Sequence, residues 1–153
     1  GGLLSTYIAN KIELNELILV ASTPCLINNK DWKYGINTEV FNQFAINLKN
    51  DSTKSLKRFV SLQGKDKSQL QELYNSIQKY PASQSALNHG LEIIINSDLR
   101  DVYKKLAIPK MTILGSLDTL IPIKIKSWYD EVGSKTTVIR SGHLPFLDKE
   151  FKL

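Results

Sequence analysis

The sequence predicts an α/β fold in which a parallel sheet is flanked by helices and interrupted by a long helical insertion. Three short apolar runs, at 16–21, 111–114 and 136–139, are typical of strands, and the first has the nearly continuous apolar composition of a strand that is buried on both faces. Residues 37–97, between the first two runs, have apolar residues at helical spacing and no strand signal. Strands that alternate with helices are typical of a doubly wound parallel sheet.

The chain opens with a predicted helix at 3–12, which leads into the strand at 16–21. Gly1 and Gly2 come before small and apolar residues at helical spacing, as on the far side of a G-x-S-x-G nucleophile elbow. In that interpretation the serine lies two positions before Gly1, outside this sequence. The alternative is a helix that simply begins at two glycines, and this segment alone does not decide between them.

Turn-forming residues divide the insertion into four predicted helices. Asp51 or Ser52 can cap the second helix and Asp66 the third, because their side-chain oxygens accept hydrogen bonds from the free N–H groups of a first turn. The breaks between the helices lie near Asn50-Asp51, Gly64 and Pro81.

Alternation of helices and strands resumes after the insertion. The predicted elements are a helix near 98–106, the strand 111–114, a helix at 123–131, the strand 136–139 and a terminal helix that begins at Pro145.

Composition places the chain among ordinary globular proteins. Of its 153 residues 42% are hydrophobic and 23% charged, and no apolar stretch approaches the ~20 residues that span a bilayer. Cys25 is the one cysteine, so no disulfide forms within the chain, which fits a reducing cytoplasm. The net charge of +5 fits either an acidic partner or a lysine-rich solvated surface, and no zinc-binding or nucleic-acid motif is present.

Asp118 and His143 are the residues with the clearest chemical signal. Each follows a predicted strand, and the carboxyl ends of parallel strands meet at one edge of a sheet. A carboxylate there can orient an imidazole, which can then take a proton from a hydroxyl and return it to a leaving group. Taken singly, Asp118 could be a turn residue that caps the next helix, and His143 a surface histidine. Together, an acid followed by a base after a lost elbow has the chain order of an α/β-hydrolase.

No residue of the chain is a good nucleophile for this pair. Ser22, Ser116 and Ser141 lie on strand-end loops but lack the G-x-S-x-G frame. Cys25 is expected to be a buried structural thiol, and His89 a solvent or packing residue of the insertion.

Basic residues cluster in the predicted helix after Asp51. Lys54 and Arg58 are four residues apart and so share a helix face, with Lys57 between them and Lys65 and Lys67 just beyond. The cluster is either a solvated face or a platform for an acidic helix or a phosphate.

Several segments together resemble one family of hydrolases. The similarity runs in order over nearly the whole chain and is carried by Val20-Ala21-Ser22-Thr23-Pro24-Cys25, Lys57-Arg58-Phe59-Val60-Ser61-Leu62-Gln63, Asn88-His89-Gly90-Leu91-Glu92-Ile93, Asp98-Leu99-Arg100, Leu117-Asp118 and His143-Leu144-Pro145-Phe146. These residues are similar to those of the pimeloyl-[acyl-carrier-protein] methyl ester esterases of biotin synthesis.

The resemblance implies a serine carboxylesterase that needs no metal and no cofactor, with Asp118 as the acid and His143 as the base. It implies that Lys54, Arg58 and Lys67 bind an acyl-carrier protein bearing a pimeloyl methyl ester, whereas a further basic position of the family is Gln71 here. Nucleic-acid and membrane partners are not expected, and the expected location is the cytoplasm.

The expected organisation is a partial hydrolase core at 1–25, a four-helix lid at 26–97 and a second core segment at 98–153. These segments correspond to the C-terminal part of an α/β-hydrolase fold, so the chain alone is expected to be inactive and could require a companion N-terminal fragment. Two alternatives stay open. One is another lidded α/β-hydrolase, such as a short-chain esterase, a lactonase or a carbon–carbon bond hydrolase. The other is a non-catalytic module that binds the carrier protein.

Overall fold

Three parallel strands form the single sheet of the computed structural model, which describes residues 1–148 and residue 151. They are β1 (Leu17–Val20), β2 (Lys110–Gly115) and β3 (Lys135–Ile139), arranged in the order β1–β2–β3. The register pairs Leu19 with Thr112 and Leu114 with Val138. Because all the strands run in one direction, their carboxyl ends share one edge of the sheet, and the predicted α/β architecture is confirmed.

The helices of the described residues flank the sheet and fill the insertion. They are α1 (Gly2–Ala9), α2 (Thr38–Asn50), α3 (Ser52–Ser61), α4 (Lys67–Lys79), α5 (Gln84–Asn96), α6 (Arg100–Lys105) and α7 (Lys126–Glu131). Helices α2 to α5 lie between β1 and β2 in the chain, so the four-helix insertion is confirmed. None of these helices is both long and apolar enough to cross a bilayer.

Side-chain caps begin the helices of the insertion. The Asp51 carboxylate accepts a hydrogen bond from the Lys54 backbone N–H at 2.9 Å, and Asp66 accepts from Ser68 N–H at 2.9 Å and from Gln69 N–H at 3.1 Å. Each bond satisfies an N–H group that has no partner within the first turn, which stabilises a helix by about 1 kcal/mol. Of the two candidates for the second helix, Asp51 is therefore the cap.

The structure differs from the predictions at two helix ends. Helix α1 ends at Ala9 rather than at residue 12, because Asn10 leaves the regular hydrogen-bonding pattern and only single turns follow. The helix predicted to begin at Pro145 is only a 3₁₀ turn, Pro145–Leu147, since Asp148 adopts an extended backbone (φ −84°, ψ 143°) that does not continue a helix. Residues 149–150 and 152–153 of that prediction lie outside the described residues.

A cluster of aromatic rings forms the core beside the sheet. Tyr103 of α6 and Tyr129 of α7 are completely buried, and Trp32 and Trp128 stand edge-to-face at 5.2 Å between ring centroids. Rings of this size each contribute about 2–3 kcal/mol when buried. The Tyr129 hydroxyl donates to the carbonyl of Ser22 at 2.9 Å, which fixes the chain where it leaves β1. Burial raises the pKa of Tyr129 well above its usual range.

Candidate active site

Asp118 lies in the turn that follows β2. Its Oδ1 atom accepts hydrogen bonds from the backbone N–H groups of Leu120 at 2.8 Å and Ile121 at 3.0 Å, and its side chain is only 1% exposed. The simpler interpretation of Asp118 as a cap of the next helix is wrong, because the carboxylate closes the turn before that helix, whose first turn at Ile123–Ile125 has no side-chain cap. Oδ1 alone makes these bonds, which leaves Oδ2 for another partner.

His143 lies in the loop after β3, next to Asp118. Its backbone N–H donates to the carbonyl of Gln63 at 2.8 Å, and its Nδ1 is 2.9 Å from Oδ2 of Asp118. The two side chains are 25 residues apart in sequence and meet because β2 and β3 are adjacent parallel strands. The structure thus brings together the two residues singled out as acid and base.

The other imidazole nitrogen of His143 remains available. Among the described residues none hydrogen bonds to Nε2, and the histidine side chain is 23% exposed. When Nδ1–H is donated to Asp118, Nε2 carries the lone pair. A neutral imidazole held in this tautomer can accept a proton from a hydroxyl group placed at Nε2.

The amino end of α1 lies at the same edge of the sheet. Gly2 approaches Ser22 so closely that a Cβ atom on Gly2 would lie 1.6 Å from the Ser22 Oγ. Since Ser22 follows β1, the chain just before α1 enters the region where β2 and β3 also end. The elbow interpretation of Gly1 and Gly2 stays a prediction.

The serines within the described residues make no hydrogen bond to the His143 imidazole. Ser5 Oγ bonds back to the carbonyl of Gly1 at 3.2 Å, as an ordinary helix serine does. Ser141 is buried and its Oγ donates to the carbonyl of Gly142 at 3.3 Å. No described serine hydrogen bonds to the imidazole, so a hydroxyl nucleophile for this pair is not found among them.

Solved structures of hydrolases share this fold. An esterase from Exiguobacterium antarcticum superposes on the chain with a TM-score of 0.86 at 24% sequence identity, over 97% of this chain and 59% of the esterase. Together with the parallel sheet and the helical insertion, that likeness establishes the fold. The chain has an α/β-hydrolase fold.

Curated relatives resemble the chain in sequence. It is 34% identical to the pimeloyl-[acyl-carrier protein] methyl ester esterase of Wigglesworthia glossinidia brevipalpis, over 99% of the chain and 62% of that enzyme. It is also 34% identical to the enzyme of the same name from Aliivibrio fischeri, over 96% of the chain and 61% of that enzyme. The chain thus spans about three-fifths of the length of these homologues. No family model matches the chain.

The predicted carrier-binding residues lie on the surface of the insertion. Lys54, Arg58 and Lys67 are exposed, and no described carboxylate forms an ion pair with any of them. Lys57 differs, because its Nζ lies 5.9 Å from the ring centroid of Tyr74 on α4. Gln71 is exposed as well, and its amide donates to the side-chain oxygen of Asn75 at 2.8 Å.

Two other reactive side chains play no part at this edge. Cys25 is buried, its thiol donates to the carbonyl of Ile27 at 3.4 Å, and burial raises its pKa, so it lacks the thiolate character of a nucleophile. His89 is exposed on α5. Within the described residues, no group of three His, Cys, Asp or Glu side chains could hold a metal ion.

Sequence reasoning missed the residues that surround the histidine loop. The end of α3 at Leu62 and Gln63 lies against the loops of Asp118 and His143, and a cavity of about 510 Å³ opens between them and the start of α4. Gly142 carried a weak signal, since a glycine next to a candidate base indicates a close backbone approach. Thr119 and Gln63 carried none, because hydrogen bonds between distant segments have no local sequence pattern.

Proposed function

We propose that the protein carrying this chain is a serine carboxylesterase that hydrolyses the methyl ester of a pimeloyl group held on an acyl-carrier protein. The observation that supports this most is the hydrogen bond of 2.9 Å between His143 Nδ1 and Asp118 Oδ2, with Nε2 left available. The two homologues named above are esterases of this kind. The nucleophile of the proposal is a serine two positions before Gly1, either upstream in the same chain or on a companion fragment.

The proposed reaction passes through an acyl-enzyme. His143 Nε2 takes the proton of the serine hydroxyl while the serine oxygen bonds to the ester carbonyl carbon. Backbone N–H groups stabilise the resulting oxyanion, each contributing about 3 kcal/mol. The tetrahedral intermediate collapses, and His143 gives its proton to the departing methoxide, which leaves as methanol. Water then attacks the acyl-enzyme with the same proton transfers and releases the free carboxylate.

Asp118 acts through His143 in this mechanism. Its buried carboxylate fixes the Nδ1–H tautomer and stabilises the imidazolium that forms during each attack. The two turn N–H groups that bond to Oδ1 hold the carboxylate in that orientation. Asp118 therefore does not exchange a proton with the substrate.

The basic residues of the insertion supply the proposed docking surface for the carrier protein. Lys54, Arg58 and Lys67 are exposed and without a described carboxylate partner, so they are free to pair with acidic side chains of another protein. Such pairs raise the association rate and weaken as salt screens them. Because the substrate in this proposal is carrier-bound and the single thiol Cys25 suits a reducing compartment, we place the enzyme in the cytoplasm.

The test compares two substrates with the intact enzyme, meaning a protein that contains this chain together with the nucleophile segment. We expect hydrolysis of both the carrier-bound and the free pimeloyl methyl ester. The kcat/KM of the carrier-bound ester should be higher and should fall as salt rises, while that of the free ester should not change. Equal kcat/KM values with no salt dependence would instead favour a general short-chain esterase. Binding of the carrier without any turnover would favour a non-catalytic module.

A further inference from the structure

We infer that the carboxyl end of helix α3 positions the Asp118–His143 pair, with Thr119 and Gly142 as positioning residues, so that the insertion forms part of the catalytic apparatus. This inference deepens the proposed function and rests on it. Its basis is one hydrogen bond from each catalytic loop to the end of α3. The acid loop, which follows β2 and carries Asp118, bonds to the carbonyl of Leu62, and the base loop, which follows β3 and carries His143, bonds to the carbonyl of Gln63.

The carbonyl groups at the end of a helix have no partner within the helix and must find one elsewhere. At the end of α3, the carbonyls of Phe59 and Val60 accept from the backbone N–H groups of Leu62 and Gln63. The carbonyls of the two residues that follow α3, Leu62 and Gln63, bond to the active-site loops. Leu62 O accepts from the Thr119 hydroxyl at 2.9 Å, and Gln63 O accepts from the His143 backbone N–H at 2.8 Å.

The base loop is also held by close backbone contact. A Cβ atom on Gly142 would lie 2.6 Å from Gln63 O and 3.1 Å from Gly64 Cα, so only glycine lets the loop approach α3 this closely. Thr119 follows the acid directly, and Gly142 precedes the base directly. The end of α3 therefore fixes the backbone on one side of each reacting side chain.

Through these contacts, the position of the insertion should affect the reaction rate. A displacement of the end of α3 would move the acid loop and the base loop relative to each other, and misplacement of a catalytic group by about 1 Å can lower a rate about 100-fold. Neither Thr119 nor Gly142 touches substrate in the proposed mechanism. Loss of their contacts should therefore lower kcat and leave KM nearly unchanged.

The first experiment replaces the Thr119 hydroxyl in the intact enzyme. Thr119→Val removes the bond to Leu62 O without changing side-chain size, and we expect kcat to fall about five- to tenfold at unchanged KM. Thr119→Ser retains a hydroxyl and should restore most of the rate. The matched control is Thr137→Val, at an exposed position of β3, which should leave kcat unchanged.

The second experiment displaces the loop of His143 by a substitution at Gly142. It tests the same inference without depending on the Thr119 hydroxyl. Gly142→Ala should lower kcat more than Thr119→Val does, because the added methyl group pushes the loop away from Gln63. In the control Gly90→Ala, no atom lies within 4 Å of the added methyl group. A kcat within twofold of wild type for both Thr119→Val and Gly142→Ala would overturn the inference.

A spectroscopic measurement separates this inference from the proposed function. The low-field proton resonance of His143 Nδ1–H reports on the bond to Asp118 whether or not the ester is a substrate. We expect this proton to exchange with water about tenfold faster in Thr119→Val than in Thr137→Val or wild type. Unchanged exchange in both Thr119→Val and Gly142→Ala would contradict the positioning role. Absence of ester hydrolysis by the wild-type enzyme would contradict the proposed function alone.

Discussion

Gly115 at the end of β2 packs closely against Gly142 of the loop that carries His143. A Cβ atom on Gly115 would be 2.3 Å from the carbonyl oxygen of Gly142 and 2.5 Å from that of Ser141. Both neighbours are backbone atoms, which cannot turn aside as a flexible side chain can. The loop that carries His143 is thus stacked between the end of β2 and the end of α3.

Gly115→Ala should therefore destabilise the protein. We expect the free energy of unfolding to fall by about 1–3 kcal/mol, as in overpacked interiors, because the loop must shift to admit the methyl group. The measurement is urea unfolding of the intact enzyme. Gly90→Ala is the control, since the methyl group there meets nothing and alanine favours a helix by about 1 kcal/mol over glycine. A Gly115→Ala variant as stable as Gly90→Ala would show that the stacking is not tight.

Asp118→Asn should lower kcat of the intact enzyme by about 10⁴-fold with little change in KM. An amide can still accept the turn N–H groups that Oδ1 accepts, so the loop should stay folded while the imidazole loses its carboxylate partner. Steady-state kinetics with the free ester measures this directly. An unchanged kcat would remove Asp118 from the catalytic machinery.

Charge reversal on α3 should affect only the carrier-bound substrate. For Lys54→Glu combined with Arg58→Glu, kcat/KM for the carrier-bound ester should fall about 10- to 100-fold at low salt, and that for the free ester should not change. The control reverses Lys104 of α6 and Lys135 at the start of β3, which are both exposed and change the net charge equally. Equal losses in the two double variants would mean that net charge, not a docking surface, is responsible.

Gln71→Arg should improve carrier recognition, because it adds a basic side chain at a position where the resemblance to the esterase family implies one. We expect kcat/KM for the carrier-bound ester to rise about two- to fivefold, as for one added surface ion pair. Gln84→Arg on α5 is a close control, since both glutamines are exposed and bond to an asparagine four residues later. An equal rise in the two variants would argue against a specific contact at Gln71.

The ion pair between Asp98 and Arg100 should raise the free energy of unfolding at neutral pH and lose this effect in acid. Hydrogen bonds from the Arg100 guanidinium, including Nε to Oδ1 at 2.8 Å, lower the pKa of Asp98. The pKa of Asp98 is therefore lower in the folded protein than in the unfolded chain. The ion pair stabilises the fold fully at pH values above the unfolded-chain pKa of about 3.9, and this stabilisation is lost as the pH falls through the lower pKa of the folded protein. Asp98 is 41% exposed, so solvent screening limits the effect of Asp98→Asn to about 1 kcal/mol.

Urea unfolding at about pH 7 and about pH 3 measures this dependence. The difference between wild type and Asp98→Asn should shrink at the lower pH. Glu92→Gln, at an exposed position of α5, should show no difference at either pH. A difference for Asp98→Asn that grows in acid would contradict the assigned direction.

Local patterns predicted the parts of this molecule that depend on neighbours in sequence. The apolar runs gave the three strands, and the capping residues Asp51 and Asp66 marked two helix starts. The contact between Asp118 and His143 could be expected because adjacent parallel strands end at one edge of the sheet.

Contacts between distant segments could not be predicted in this way. Nothing in the sequence indicates that Thr119 bonds to Leu62, 57 residues away, or that Gly142 lies against Gln63. The 3₁₀ turn at Pro145–Leu147 likewise departs from a pattern that favours a helix, because the backbone at Asp148 is extended. The division into segments 1–25, 26–97 and 98–153 stays a prediction.

The chain's two histidines give the most direct test of the central claim that His143 is the base of a serine esterase. The measurement is kcat of the intact enzyme with His143→Ala and with His89→Ala, whose side chain is exposed on α5. We expect His143→Ala to lower kcat by about 10⁴-fold or more, and His89→Ala to leave it unchanged. A His143→Ala enzyme that keeps kcat within about tenfold of wild type would contradict the claim.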